Sequence, residues 1–251
     1  MKYLLNRATK KHQLVELLEL LRPMSTGHNL IRMGSETDGG YLIPDDLDGI
    51  AQCFSPGVDV KSDFELDCAN RGIEVFMADA SVDGPAQIHP KFHFEKKYVG
   101  GHARGEITDF TDWVDRSANP QGDLLLQMDI EGFEYEVLAA LPMRLLARFR
   151  TIVVEFHGLT RLFERSFYDL ARPIFEKLTQ LHVCAHAHPN NYHKTRKNNG
   201  IEIPELLEFS FHRRDRAPTL TLTPTRSFPH SLDRDCCPNN PVILPRCWYL
   251  R

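Results

Sequence analysis

Asp129 and Glu131, Glu155 and His157, and His186 and His188 form three pairs, each spaced two apart in segments that read as extended. Side chains at i and i+2 of an extended segment point the same way. Each pair falls where an apolar run ends, so carboxylates and imidazoles from neighbouring strands would meet at one sheet edge. Such a set supports two chemistries. A neutral imidazole steadied by a carboxylate can take a proton from a hydroxyl as a general base. Alternatively, Asp129, Glu155 and His188 could hold a divalent cation that acidifies a bound hydroxyl, and so oxygen-rich a set suits Mg2+ or Mn2+ better than structural zinc. The bland alternative is that each polar group only caps its strand.

The elements that would position these groups are readable from the apolar pattern. Leu124–Met128 and Thr151–Phe156 are apolar runs with no polar face, as strands covered on both sides would be. The first stops at Asp129 and turns through Gly132 into a helical pattern carried by Phe133, Val137, Leu138 and Leu141. Open α/β sheets bind ligands beyond the carboxyl ends of their strands. Ile50–Ser55 reads as a strand, Ser55–Asp59 as a loop containing Gly57, and Ser62 as the cap of a helix whose Glu65 has the capping-box spacing. Glu74–Ala78 is the next strand and ends at Asp79. A carboxylate about 20 residues beyond a glycine turn is where nucleotide-binding α/β folds hold a ribose. One glycine in place of three argues against a pyrophosphate ligand and leaves room for an adenosine without phosphates.

Further strands are expected at Phe92–Tyr98, Leu181–Ala187 and Leu206–Phe211. Helices are expected over 12–21 and over 166–180, the latter with Phe167, Leu170, Ile174, Phe175 and Leu178 inward and Pro173 inside it. Asp38-Gly39-Gly40 is a turn, either a plain hairpin or a close backbone approach to a ligand. The segment with Gly100, Gly101 and Gly105 reads as a flexible loop or a lid. The stretch to Gly200, with Lys194, Arg196 and Lys197, reads as a solvated polar loop. Six of the sixteen prolines follow residue 217, which favours an extended tail over a second domain. The expected organisation is a covering helix in 1–29, a catalytic domain over 30–211 and a packed tail over 212–251, where a homo-oligomer contact is also allowed.

Composition narrows the class. Hydrophobic residues make up 42% of the chain, enough for a large core. A net charge of −4 argues against nucleic acid as a general partner. The six cysteines have no zinc-like spacing, and Cys53 and Cys184 sit in apolar runs as buried thiols, which points to a reducing, cytoplasmic setting. The apolar start of MKYLLN is cut short by Asn6 and Arg7, so neither a signal peptide nor a membrane span is expected there.

The pieces GSETDGGYLIP (34–44), FSPGVDVKSDFELDCANRGIEVFMADAS (54–81), LLLQMDIEGFEYEVL (124–138), VVEFH (153–157) and HAHPNN (186–191) together resemble FkbM-like S-adenosylmethionine-dependent methyltransferases. The resemblance spans roughly residues 30 to 211. It implies a Rossmann-like seven-stranded sheet, mostly parallel with an antiparallel last strand and helices on both faces. It also implies a methyl donor lying over Ser55, Gly57 and Asp59. Asp79 would take the ribose hydroxyls with Ala80 and Ser81 beside it, and Asp38, Gly39 and Tyr41 would close over the donor. Families of this kind O-methylate sugars or glycosylated metabolites. In that reading His157 is the base, and Asp129 and Glu155 orient the acceptor or bind an ion. Glu131, His188, Asn190 and Asn191 would contact a carbohydrate acceptor. The rival readings are an inert donor- or glycan-binding module of the same fold and a metal-dependent hydrolase.

Overall fold

A computed structural model describes residues 7–58, 60–217 and 223–250; Asp59 lies outside them. The core is a seven-stranded sheet. Its strands are β1 (Ile50–Pro56), β2 (Glu74–Ala78), β3 (Phe92–Glu95), β4 (Asp123–Met128), β5 (Phe149–Phe156), β6 (His182–Pro189) and β7 (Leu207–Arg213). Across the sheet the order is β6-β7-β5-β4-β1-β2-β3. The neighbouring pairs from β5 to β3 are parallel, whereas β7 runs antiparallel to both β5 and β6. The protein is thus a mixed α/β fold around a mostly parallel central sheet.

Alternation along the inner strands feeds two hydrophobic clusters. Phe54, Leu124, Leu126, Ile152 and Val154 enter the larger one, while Cys53, Leu125 and Val153 enter the smaller. Successive strand residues point to opposite faces, so the two clusters lie on opposite sides of the sheet. The larger cluster takes in buried residues of α1 (Lys11–Leu20), α3 (Phe110–Ser117), α4 (Glu134–Ala140) and α5 (Arg165–Leu181). The smaller takes in α2 (Asp63–Asn70) and the antiparallel hairpin Leu30–Gly34/Gly40–Pro44. Trp113 packs edge-on to Phe54 at 5.3 Å and is fully buried.

Several expectations change on contact with tertiary structure. Ser62 does precede α2, but its hydroxyl makes no cap bond, because Glu65 turns inward to Ser55. Leu170 lies on the solvent side of α5, 53% exposed, while Ala171 takes an inward place. The strand expected over Phe92–Tyr98 breaks after Glu95, and Tyr98–Gly100 pairs instead with Ile107–Asp109. The glycine segment is correspondingly less open than a lid, since a Cβ on Gly101 would meet the Glu136 carbonyl oxygen at 2.6 Å. The polar stretch before Gly200 holds the hairpin Thr195–Asn198/Ile201–Pro204. The tail lies on the core, with Leu244 and Trp248 buried in the larger cluster.

The strand directions bring chosen chain ends to one edge. The ends of β1, β2, β4, β5 and β6 and the start of β7 all lie there, with Glu155 opposite Glu208 and Glu208 opposite His188. Gly57 locks two of these ends together. It has φ +81°, and a Cβ on it would fall 1.7 Å from the Asp129 carbonyl oxygen. No side chain fits without moving the loop after β4. Gly57→Ala should therefore cost about 3 kcal/mol or more, combining left-handed strain with a backbone clash. Urea denaturation would measure it, and a loss under about 1 kcal/mol would show that the two loops part easily.

Candidate active site

A cavity of about 630 Å3 opens along this edge. Its walls come from the loops after β1, β2 and β4, from α2 and from the hairpin turn at Asp38 and Gly39. That volume falls in the ordinary range for a cofactor or small-molecule site.

On the β1–β2 side, Asp79 organises the backbone. Its Oδ2 accepts the Val58 N–H at 3.0 Å, and its Oδ1 accepts from the Ser81 N–H at 2.7 Å and the Ser81 hydroxyl at 2.6 Å. The Gly57 N–H donates to the Ala78 carbonyl at 3.0 Å, tying the two loops. Gly57, Asp79 and Ser81 border the cavity, as do Asp38, Gly39 and Tyr41. Ser55 does not line it. Its buried hydroxyl lies between Glu65 and Gln127 Oε1, the latter at 2.6 Å, and Gln127 donates to Tyr41 Oη at 3.4 Å. Ala80 is likewise outside the cavity lining. Burial pushes the Glu65 carboxyl up to about 7, against the opposing hydrogen bond from Ser55.

The β4–β5 side carries the acids and the imidazole. Glu134, at the start of α4, is fully buried and was not singled out as a site residue by spacing. Its Oε1 accepts from Ile130 N–H (3.2 Å), Gly132 N–H (3.0 Å) and His157 Nδ1 (3.0 Å). A carboxylate oxygen only accepts, so Nδ1 carries a proton and Nε2 is left to face the site. His157 Nε2 stands 3.8 Å from Asp129 Oδ1 and 3.3 Å from Glu131 Oε2. Glu131 adopts φ +54°, a left-handed conformation uncommon for a residue with a side chain. Asp129 and Glu131 line the cavity, whereas His157 stands directly behind them.

The protonation states are set by burial and crowding. Burial pushes Asp129 up to about 7; His157 pulls the other way, and Glu131, Glu134 and Asp38 add to the rise. Burial alone would lower His157, but Glu134, Asp129 and Glu131 outweigh it and raise the imidazole to about 9. Asp129 Oδ1 and Glu134 Oε2 are buried without a hydrogen-bond partner. Ligand atoms from Asp129, Glu134 and His157 lie within 4.8 Å of one another, so this trio meets the spacing of a cation site.

Glu155 and His188, which the sequence joined to Asp129 as ligands, sit deeper and are otherwise engaged. Glu155 accepts from Asn190 Nδ2 at 3.0 Å, and burial with Asp129 and Glu208 nearby raises it well above the ordinary range. His188 bonds through Nε2 to the Arg234 carbonyl at 3.0 Å and lies 3.5 Å from Asp233. Asn191 donates to the Cys237 and Asn239 carbonyls, and Asn190 Oδ1 accepts the Tyr192 N–H. His188, Asn190 and Asn191 are all buried. The hydrogen bonds of these three residues go to the tail, to Glu155 and to their own loop. Glu208, half-buried opposite Glu155, is raised by desolvation to about 7 against His188 and Arg32.

Comparison with known proteins bears on this edge. Residues 108–181 match the family model of the methyltransferase FkbM domain. The FkbM stretch holds Asp129, Glu131, Glu134, Glu155 and His157 and ends with α5, so the resemblance read from the motifs is met there. A solved structure of a candidate RNA methyltransferase from Pyrococcus horikoshii aligns over 85% of this chain and 90% of that chain, at 10% identity and a TM-score of 0.35. No curated protein matches the chain.

The raised His157 makes a signed prediction. A folded value near 9 against an ordinary 6.5 means its stabilising contribution is complete below 6.5 and is lost as pH rises through 9. Glu134→Gln removes the closest charge that sustains this. Histidine NMR titration of the variant should move His157 back toward 6.5, and its fall in stability between pH 6.5 and 9 should flatten. An unchanged titration would remove Glu134 as the cause.

Proposed function

We propose that the protein is an S-adenosylmethionine-dependent O-methyltransferase that acts on a hydroxyl of a sugar or glycosylated small molecule. The observation that carries this is the meeting of the Asp129–His157–Glu134 cluster with a cavity bordered by Gly57 and Asp79. The FkbM match over the same cluster supports methyl transfer.

In this reading Asp79 takes the ribose hydroxyls, with its position fixed by Val58 and Ser81. Asp38, Gly39 and Tyr41 close the other wall. The acid-rich wall around Asp129 complements a cationic sulfonium. When bound, the donor would supply a methyl on a sulfonium sulfur, already activated for transfer to an oxygen. The acceptor hydroxyl is aligned at Asp129, and its proton passes to the Asp129–His157 pair, whose titration belongs to both groups. Glu134 keeps Nε2 turned toward Asp129; because His157 is raised to about 9, the ring takes the hydroxyl's proton only after the donor's cation has displaced the one it holds. Positioning of the oxygen against the methyl is the main demand on the protein, since the methyl needs no further activation.

A divalent Mg2+ or Mn2+ also suits the donor set of Asp129, Glu134 and His157, given the two unpartnered carboxylate oxygens. Such an ion would supply Lewis acidity at the acceptor hydroxyl. This set replaces Asp129, Glu155 and His188, because the last two are held away in other hydrogen bonds. Among the described residues no helix is long and apolar enough to cross a membrane.

Calorimetric titration with S-adenosylmethionine tests the donor assignment. Binding is expected for the parent chain, with at least a tenfold loss in Asp79→Ala. Protons should be released on binding, because a cation beside His157 lowers its proton affinity; buffers of different ionisation heat would reveal this. His157→Ala should keep donor binding and lose methyl transfer across a panel of glycans. Absence of donor binding would favour a hydrolase, and binding with no transfer to any glycan would favour an inert module.

A further inference from the structure

The far edge of the sheet holds a second convergence of ligating groups, away from the cavity. His212, at the end of β7, is opposite Thr151, four residues along β5 from the Glu155–Glu208 pair. At about 3.3 Å per strand residue this separates the two edges by roughly 13 Å. His28, Asp46 and His212 each offer an atom there, and the three atoms lie within 4.8 Å of one another. His212 is fully buried and Asp46 nearly so.

We propose that His28, Asp46 and His212 form a binding site for a transition-metal cation of the zinc class, separate from the methyl-transfer edge. Two imidazoles and one carboxylate are the donor set such ions take. The hydrogen bonds around the rings favour it. The Arg216 carbonyl, 3.1 Å from His28 Nε2, can only accept, so that nitrogen carries the proton and Nδ1 keeps its lone pair. His212 Nδ1 lies 3.4 Å from the Thr151 hydroxyl. Its Nε2 is buried with no hydrogen-bond partner and stands 3.5 Å from Asp46 Oδ2. With Nδ1–H donated to Thr151, two lone-pair atoms face each other across that gap, and a cation bridges such a pair. A buried imidazole nitrogen left unpaired is costly, so the arrangement calls for an explanation.

The neighbouring arginines are each matched by an acid. Arg150, Arg213 and Arg216 are paired with Asp46, Asp123 and Asp215, three cations against three anions. Arg216 donates to both Asp46 oxygens, at 2.8 and 2.9 Å, and Arg150 to Oδ1 at 3.3 Å, and together they fix the orientation of the carboxylate. A carboxylate oxygen has a second lone pair for a metal, and outer partners of this kind orient metal ligands. The site would clasp the loop carrying His28 to the end of β7. It does not rest on the methyltransferase reading.

The test uses the full chain stripped with a chelator and titrated with Zn2+, then with Co2+ for its visible absorption. One Zn2+ should bind, raise the melting temperature, and give a Co2+ spectrum with nitrogen ligation. His28→Ala changes a half-buried loop residue, and its Zn2+ affinity should fall at least tenfold with folding intact. His212→Gln should do the same, and Asp129→Asn should retain the site. Failure of the parent to bind Zn2+ overturns the proposal. So does undiminished binding in both histidine variants, or loss of all binding in Asp129→Asn, which would place the ion at the other edge.

Discussion

The buried carboxylate of Glu134 is the contact on which the site depends. One oxygen receives two backbone N–H groups of the loop after β4 and the Nδ1 proton of His157 at the end of β5. These bonds hold the loop in the turn that gives Glu131 its left-handed backbone. They also fix which imidazole nitrogen is turned toward Asp129 and Glu131. A buried carboxylate needs such partners. Here the fixed charge in turn raises the neighbouring imidazole and helps to raise Asp129. Geometry and protonation thus share one origin.

Burial extends the same crowding along the edge. Asp129, Glu155 and Glu208 are crowded together and partly shielded from water, and all three hold their protons more tightly than free carboxyls. Such packing works against stability at neutral pH and favours cations. The opposite edge is built differently. Its acids are matched one for one by arginines, and it acts as a brace between β4, β5 and β7.

Much of the frame was legible from residue patterns. Leu124–Met128 and Thr151–Phe156 have no polar face, and both became central strands. Asp129, Gly57 and Asp79 fell at strand ends, where the topology brings them together. What escaped was set by tertiary contacts. Glu134 looks like an ordinary first-turn acid of a helix, and only the fold shows that it points inward. Ser62 and Glu65 have capping-box spacing, yet Ser55, ten residues earlier and in β1, captures Glu65. His186, His188 and Asn191 have site-like spacing, but residues more than 40 positions later claim their hydrogen bonds. No local pattern encodes pairings that distant.

The same long-range pairing has a bearing on biosynthesis. Asp233 and the Cys237 and Asn239 carbonyls are the last partners to leave the ribosome among those that seat β6 against its neighbours. Until then His186 and Asn191 must stay hydrated, so the strand at the sheet's margin sets late. The core around β4 and β5 can collapse before that margin is sealed, because the partners that seal it lie more than 40 residues further along the chain.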